Sequence, residues 1–195
     1  MTALLTTLGT KGDRTRQRLL DLAIQRFAAD GYRRTSVSDI ARAAGVTPAA
    51  VYAYFDNKEA LFRAAVDADA AALLERAQAG SDALPVRDAW FATFAHLREM
   101  VHEHPLARRV LAGLEPGVAS QLLELPSLAT VRAALTTALA TGQETGQIRT
   151  DIDPAAVALG LETLVLSLLM AEIQFGEEPE RIPAVYAVLD AAVRP

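Results

Sequence analysis

Between Ser36 and Tyr54 the chain spells two short helices around a glycine, and that arrangement leaves few folds open. The first segment, Val37–Ala44, carries Val37, Ile40 and Ala44 at helical spacing and stops at Gly45. Ser36 and Asp39 form a Ser-x-x-Asp variant of the capping box. The second segment, Thr47–Tyr54, opens with Thr47 as an N-cap and Pro48 at the first helical position, where a missing N–H costs nothing. Two short helices joined by a tight turn containing glycine are the sequence form of a helix-turn-helix. Its second helix offers its N-terminal face to a major groove while the first braces it. A helical hairpin with no DNA role has the same spacing, so the flanking sequence has to decide between them.

The flanks favour DNA. A helix from about Arg14 to Asp30 precedes the motif, with Leu19, Leu20, Ala23, Ile24 and Phe27 on one stripe and Gly31 at the C′ position. A fourth helix follows, capped by Asp56 or Asn57, and runs from Lys58 through Leu61, Phe62 and Val66 toward Gln78. The whole chain of 195 residues has a net charge of −5, which argues against a polyanionic partner. The distribution argues the other way. Residues 1–64 hold ten basic and six acidic side chains, a net +4, which leaves −9 on the remainder. A basic head on an acidic body is the asymmetry expected when one end meets phosphate.

The rest of the chain reads as helix with short breaks. Segments are expected at about Val86–Glu103, Pro105–Leu111 and Ser127–Thr145, then a long apolar helix capped by Asp153-Pro154 and reaching Phe175, and, after a break from Gly176 to Pro179, a last helix to Val193. The segment Ala155–Met170, interrupted by Glu162, falls short of the roughly 20 residues that span a bilayer and is read as a buried helix. Val157, Leu161, Leu164 and Leu168 make one stripe, while Leu159, Leu166 and Leu169 spread apolar character around the circumference. A helix apolar nearly all round needs core on one side and a partner on the other.

Several functions lose support. Without cysteine there is no disulfide framework, zinc ribbon or thiol nucleophile. There is no phosphate loop and no Gly-x-Ser-x-Gly elbow, so the chain is not read as an enzyme and no cofactor is expected. His96, His102 and His104, with Glu99 and Glu103, lack metal-ligand spacing and are read as a solvated polar face. Met1–Thr10 carries Leu4, Leu5 and Leu8 but no basic n-region, so it is taken as an N-terminal arm rather than a signal peptide.

The words "GYRRTSVSDIARAAGV" (Gly31–Val46) and "VYAYFDNKEAL" (Val51–Leu61), preceded by Thr15–Leu20 and Phe27–Asp30, resemble the DNA-binding domain of the TetR family over about a quarter of the chain. The resemblance implies an all-α fold of about nine helices. Residues 1–10 would be an arm, 11–60 a three-helix helix-turn-helix domain, and 61–195 a helical ligand-binding and dimerisation domain. It implies a cytoplasmic, ligand-responsive transcriptional repressor, with a TetR-like activator as the alternative. Its partners would be palindromic operator DNA, a second copy of the chain and an unidentified small apolar or amphipathic effector, with no membrane.

The resemblance also assigns residues. Lys58 is an implied phosphate clamp, and at least one of Tyr52 and Tyr54 an implied phosphate contact. A DNA role is read for both tyrosines, with partial burial as the alternative for Tyr52. Thr35 and Ser36 look like phosphate contacts as well as caps. Thr47, Pro48 and Ala49 open the recognition helix, where many members carry a basic or polar residue and a glycine at the last two positions. This helix has little hydrogen-bonding capacity, so contact with thymine methyls is expected, with Thr47 and Tyr52 assisting. Arg42 is placed on guanine or phosphate, Arg33 and Arg34 on the backbone, and Lys11, Arg14 and Arg16 in a basic arm. Trp90, Phe94, Leu97, Met100, Leu114 and Met170 are offered as effector lining, with ordinary core as the alternative reading of each. The dimer interface is placed on Leu161, Leu164, Leu168, Val185 and Leu189. Glu162 is left open between an interface pair, solvent and a cationic ligand.

Overall fold

The computed structural model describes residues 11–81, 83–115, 117 and 122–195, and the proposed arm at 1–10 lies outside them. Among the described residues there are nine α-helices, two 3-10 turns and no strands. The helices are α1 (Lys11–Arg34), α2 (Val37–Ala44), α3 (Pro48–Tyr52), α4 (Lys58–Gln78), α5 (Val86–Met100), α6 (Pro105–Leu111), α7 (Pro126–Glu144), α8 (Pro154–Phe175) and α9 (Arg181–Val193). The chain divides into two compact units, one up to Val66 and one from Asp67, with the division falling inside the span of α4.

In the first unit, Leu19, Ala23, Phe27, Ile40, Ala41, Val51, Leu61 and Phe62 are all fully or almost fully buried, so the stripes read from the sequence meet in one core. The Phe62 ring lies edge-on to Phe27 at 4.8 Å and tilted against Tyr32 at 5.0 Å. Gly31 breaks α1 with φ 77° and ψ 168°, a conformation only glycine holds without strain. Its φ is positive as expected, but its ψ is extended rather than helical. The end of α2 is closed by Gly45 at φ 72° and ψ 28°. Val46 N–H donates to Ala41 C=O at 3.0 Å and Gly45 N–H to Arg42 C=O at 3.1 Å, the paired bonds of a Schellman end. This glycine fixes the turn between α2 and α3.

The helix starts are capped by the side chains that the sequence suggests. Thr47 Oγ1 accepts from Ala50 N–H at 3.2 Å, and Asn57 Oδ1 accepts from Ala60 N–H at 2.8 Å, which settles the choice between Asp56 and Asn57. Ser36 Oγ accepts from Ser38 N–H at 3.2 Å. Asp39 does not complete the expected capping box; its carboxylate pairs with Arg42 one turn on, at 3.1 Å.

In the second unit α7 and α8 pack along each other most extensively, and α6 also rests on α8. Leu139, Ile148, Ala158, Leu161, Leu189 and Val193 form a buried cluster from α7, α8, α9 and the loop before α8. Gly142 lets that loop close, because a Cβ there would stand 2.5 Å from Ile148 Cγ1. The helix α8 is long and apolar enough to cross a membrane, yet only 22% of its most apolar window is buried. Its reading as a buried helix therefore holds for one face. The other face leaves Leu159 and Leu164 exposed.

Candidate nucleic-acid interface and ligand cavity

The outward surface of α2 and α3 is built by what their cores bury. Val51 is fully buried, which turns Thr47, Pro48, Ala49, Tyr52 and Ala53 to the outside. Tyr52 is 49% exposed and Tyr54, just past the end of α3, 37% exposed, so neither ring belongs to the core. Lys58 opens α4. Its ammonium sits 4.6 Å from the centre of the Tyr32 ring, and Nζ donates to Arg33 C=O at 3.4 Å. The aromatic face thus holds the cation near the N-terminal end of α4, where free N–H groups already favour anions. Tyr32 is the positioning residue that sequence reasoning missed, and its only signal was an aromatic next to the break at Gly31. Arg16 lies 5.3 Å from the centre of the Phe55 ring, tying the basic first turns of α1 to the end of the motif.

Thr35 does not fit the set. It is only 5% exposed, and its hydroxyl faces Gly31 C=O at 2.8 Å and Arg26 C=O at 3.2 Å. Its single proton is used inside the unit, so Thr35 closes the end of α1 instead of meeting phosphate. Ser36 is half-buried, and its oxygen accepts the capping bond while its proton is left to donate outward. The Arg42 side chain is 79% exposed, with its guanidinium on Asp39.

In the second unit the expected effector residues do not converge. Phe94 and Leu97 are buried core, and Met100 and Met170 are half-buried. Leu114 is 58% exposed, because the segment after α6 leaves it at the surface. A small cavity of about 20 Å³ lies between α5, α7, α8 and α9. Trp90, Phe91, Leu135, Leu139, Ile148 and Leu161 line it, with Val86, Leu189 and Val193, and Arg87 is its one charged neighbour. Trp90 is the single member of the predicted set found there. The space is water-sized, and its apolar lining offers a water almost nothing to bond. Tyr186 packs edge-on against Phe91 at 4.8 Å and Phe94 at 5.6 Å, and burial pushes its phenol upward from the ordinary value.

The expected interface residues need the same correction. Leu161, Leu168 and Leu189 are between 3% and 5% exposed, buried within one chain because their stripe is the core-facing one. Val185 is half-buried, and Leu164 is exposed. The large apolar side chains left outside on α8 and α9 are Leu159, Leu164, Phe175 and Val188.

Polar pairs unseen in the sequence organise the second unit. The buried Asp69 carboxylate accepts from Leu106 N–H at 3.0 Å, Ala107 N–H at 2.9 Å and His104 Nδ1 at 3.0 Å. Arg76 can only donate, so its 3.3 Å contact makes His104 Nε2 the acceptor and leaves the ring proton on Nδ1. His104, expected on a solvated face, is thus buried and fully partnered. Asp67 accepts from Ser127 N–H at 2.9 Å. Two aspartates of α4 therefore cap α6 and α7, neither of which has a side-chain cap of its own. Glu162 resolves as an intramolecular partner of Arg132, with both carboxylate oxygens 3.0 Å from Arg132 Nη1. Burial raises its carboxyl above the ordinary range, and Arg132 offsets this only in part.

Residues 19–65 match the family model described as bacterial regulatory proteins of the tetR family. Over 187 residues the chain is 29% identical to the HTH-type transcriptional repressor Rv1474c of Mycobacterium tuberculosis, covering 92% of each chain. Over 48 residues it is 48% identical to the HTH-type transcriptional regulator AcrR of Shigella flexneri, covering 25% of this chain and 22% of that one. A solved structure from Rhodococcus sp., assigned to the TetR-family transcriptional regulators, superposes with a TM-score of 0.71 at 20% identity, covering 92% of this chain and 98% of that one. A matching tetR-family head at residues 19–65, similarity along the length of a repressor and a shared helical fold together support a TetR-family regulator.

Proposed function

We propose that the protein is a cytoplasmic repressor that binds a palindromic operator as a homodimer and is released by a small apolar or amphipathic effector. The observation that carries the DNA contacts is the exposed surface where Tyr52 and Tyr54 stand at the end of α3 and the Tyr32 ring holds Lys58 at the start of α4. Tyrosine hydroxyls and a held ammonium fix a protein on phosphates, and such contacts position the head without reading sequence. Ser36 and Arg42 extend the set, while Thr35 does not belong to it.

Dimerisation is supported by the face of α8 and α9 that exposes Leu159, Leu164 and Val188, an apolar surface of the kind that marks an interface. Two-fold pairing sets two heads on half-sites about 34 Å apart, so weak contacts multiply. The effector site is assigned to the cavity beside Trp90 and Phe91, whose apolar walls suit a hydrocarbon or ring. At its present size it must expand to admit one. An effector that binds better to the expanded form lowers operator affinity by biasing the same equilibrium.

The test starts with selection of a site from random DNA. Operator affinity is then measured against salt for wild type, Tyr54→Phe, Lys58→Ala and Leu164→Glu. The expected outcome is a palindromic site, weaker binding in all three variants, and a salt slope shallower by about one per half-site for Lys58→Ala. Leu164→Glu is expected to sediment as a monomer. Unchanged binding in Tyr54→Phe and Lys58→Ala would remove these residues from the interface, and a dimeric Leu164→Glu would move the subunit contact elsewhere.

A further inference from the structure

We propose that this regulator reads its operator chiefly through thymine, with the 5-methyl groups of thymine bases packed against Pro48, Ala49 and Ala53 in the major groove. The inference rests on the DNA-binding role above and names the bases that the recognition helix takes.

The argument starts from what the exposed part of α3 can bond. Its outward residues are Thr47, Pro48, Ala49, Tyr52 and Ala53. Specific pairing with guanine needs arginine or lysine, and pairing with adenine needs asparagine or glutamine. None of these four residue types occurs between Thr47 and Tyr54. Pro48 has neither an N–H nor a polar side chain. Ala49 and Ala53 each offer one methyl and, spaced four apart, share a helix face. Thr47 accepts the capping bond from Ala50 N–H at 3.2 Å, which leaves one short hydroxyl donor at the start of this surface. On α2 the long donor is Arg42, and Asp39 engages its guanidinium at 3.1 Å.

Between the Thr47 hydroxyl and the two tyrosines, the surface that enters the groove is therefore hydrocarbon. The one apolar feature that a B-DNA major groove presents is the C5-methyl of thymine. Cytosine, guanine and adenine edges buried against Pro48, Ala49 or Ala53 would lose hydration of polar atoms with no replacement bond. Thymine methyls buried there gain contact and lose none. The same surface favours thymine and rejects the alternatives, which is how a helix poor in donors can still discriminate.

Deoxyuridine tests this directly, because it keeps every hydrogen-bonding group of thymine and lacks only the methyl. The operator is first selected from a random pool with the full-length protein. Each thymine of one half-site is then replaced singly by deoxyuridine, and affinity is measured for wild type, Pro48→Ala and Ala49→Gly. The expected result is a loss of about fourfold per contacted methyl at one or more positions, since each buried methyl is worth roughly what a buried CH₂ is worth. The loss should shrink in the variant that removes its partner. Melting curves identify whether Ala49→Gly loosens α3; Pro48→Ala carries the comparison if it does. Binding that stays within about twofold at every substituted thymine, or a loss equal in wild type and both variants, overturns methyl readout and leaves the DNA-binding role standing. Failure to enrich any site overturns both.

Discussion

The two units close their helix ends over very different stretches of chain. In the first, Ser36 caps through a residue two away, Thr47 and Asn57 through residues three away, and Thr35 reaches back four and nine. In the second, Asp153 caps α8 through a residue two away, but Asp69 reaches 35 to 38 residues to His104, Leu106 and Ala107, and Asp67 reaches 60 to Ser127. Gln174 reaches Leu111 C=O across 63 residues, and Arg98 reaches Glu172 across 74. A head closed locally is a contiguous word, and it shares 48% identity over 48 residues with the AcrR regulator. Taken over the whole length, body included, the likeness is thinner. Over 187 residues, identity with the Rv1474c repressor is only 29%.

The comparison is most easily broken at Asp69. If long-range polar caps hold the second unit, Asp69→Ala should be the costliest single polar deletion in the chain. It leaves two backbone N–H groups and the His104 Nδ1–H buried without an acceptor. The expected loss is about 3 kcal/mol, followed by thermal unfolding at fixed chain concentration. Asp69→Asn keeps one acceptor oxygen and should fall between the variant and wild type. A loss below about 1 kcal/mol would mean that α6 finds its cap elsewhere, and the contrast between the units would fail.

This contrast also explains what was legible in the sequence. The start of α2 at Val37, its stop at Gly45, the Thr47–Pro48 opening of α3 and the Asp153 cap of α8 were all readable, because each depends on residues within one turn. The exposure of Tyr52 and Tyr54 was readable for the same reason: they face out because Val51 faces in. Thr35 misled because a short donor beside a helix start looks alike whether its hydroxyl turns outward or back into α1. The leucines of α8 misled differently. On a helix apolar all round, the sequence does not tell which stripe meets core, so Leu161 and Leu168 were assigned outward and Leu159 was not. His104 and Glu162 were opaque because their partners, Asp69 and Arg132, lie 35 and 30 residues away.

A second, smaller effect sharpens the comparison inside the body. The Glu162 side chain is 9% exposed and that of Arg132 30% exposed, so the pair is unequally buried. Arg132→Ala strands the more buried charge and should cost about 2 kcal/mol, below the value for fully buried pairs because water reaches the arginine. Glu162→Gln leaves only a half-exposed arginine unpaired and should cost less. The pH dependence has a definite sign. A carboxyl raised by burial holds its proton longer in the folded chain than in the unfolded one, so folding stability falls as pH rises through the folded value. Glu162→Gln should remove that part of the fall in stability above the ordinary carboxylate range. A steeper fall in the variant would mean that Arg132 outweighs burial.

The smallest expected change in stability falls in the head, at Ser36, and there stability and function should separate. Glycine is itself an acceptable N-cap, so Ser36→Gly should cost only a few tenths of a kcal/mol of folding stability. The hydroxyl proton, which no capping bond uses, is what the substitution takes from DNA. A hydrogen bond of about 1 kcal/mol to phosphate corresponds to roughly fivefold in affinity for each half-site. Thr35→Val gives the opposite pattern. It removes a buried hydroxyl that faces Gly31 and Arg26, so it should lower the melting temperature more than Ser36→Gly while leaving operator affinity nearly intact. If the neighbours exchange patterns, with Thr35→Val losing DNA and Ser36→Gly losing fold, then the two hydroxyls have been assigned the wrong way round. The local caps of the head would then be no more separable from its function than the long-range caps are from the fold of the body.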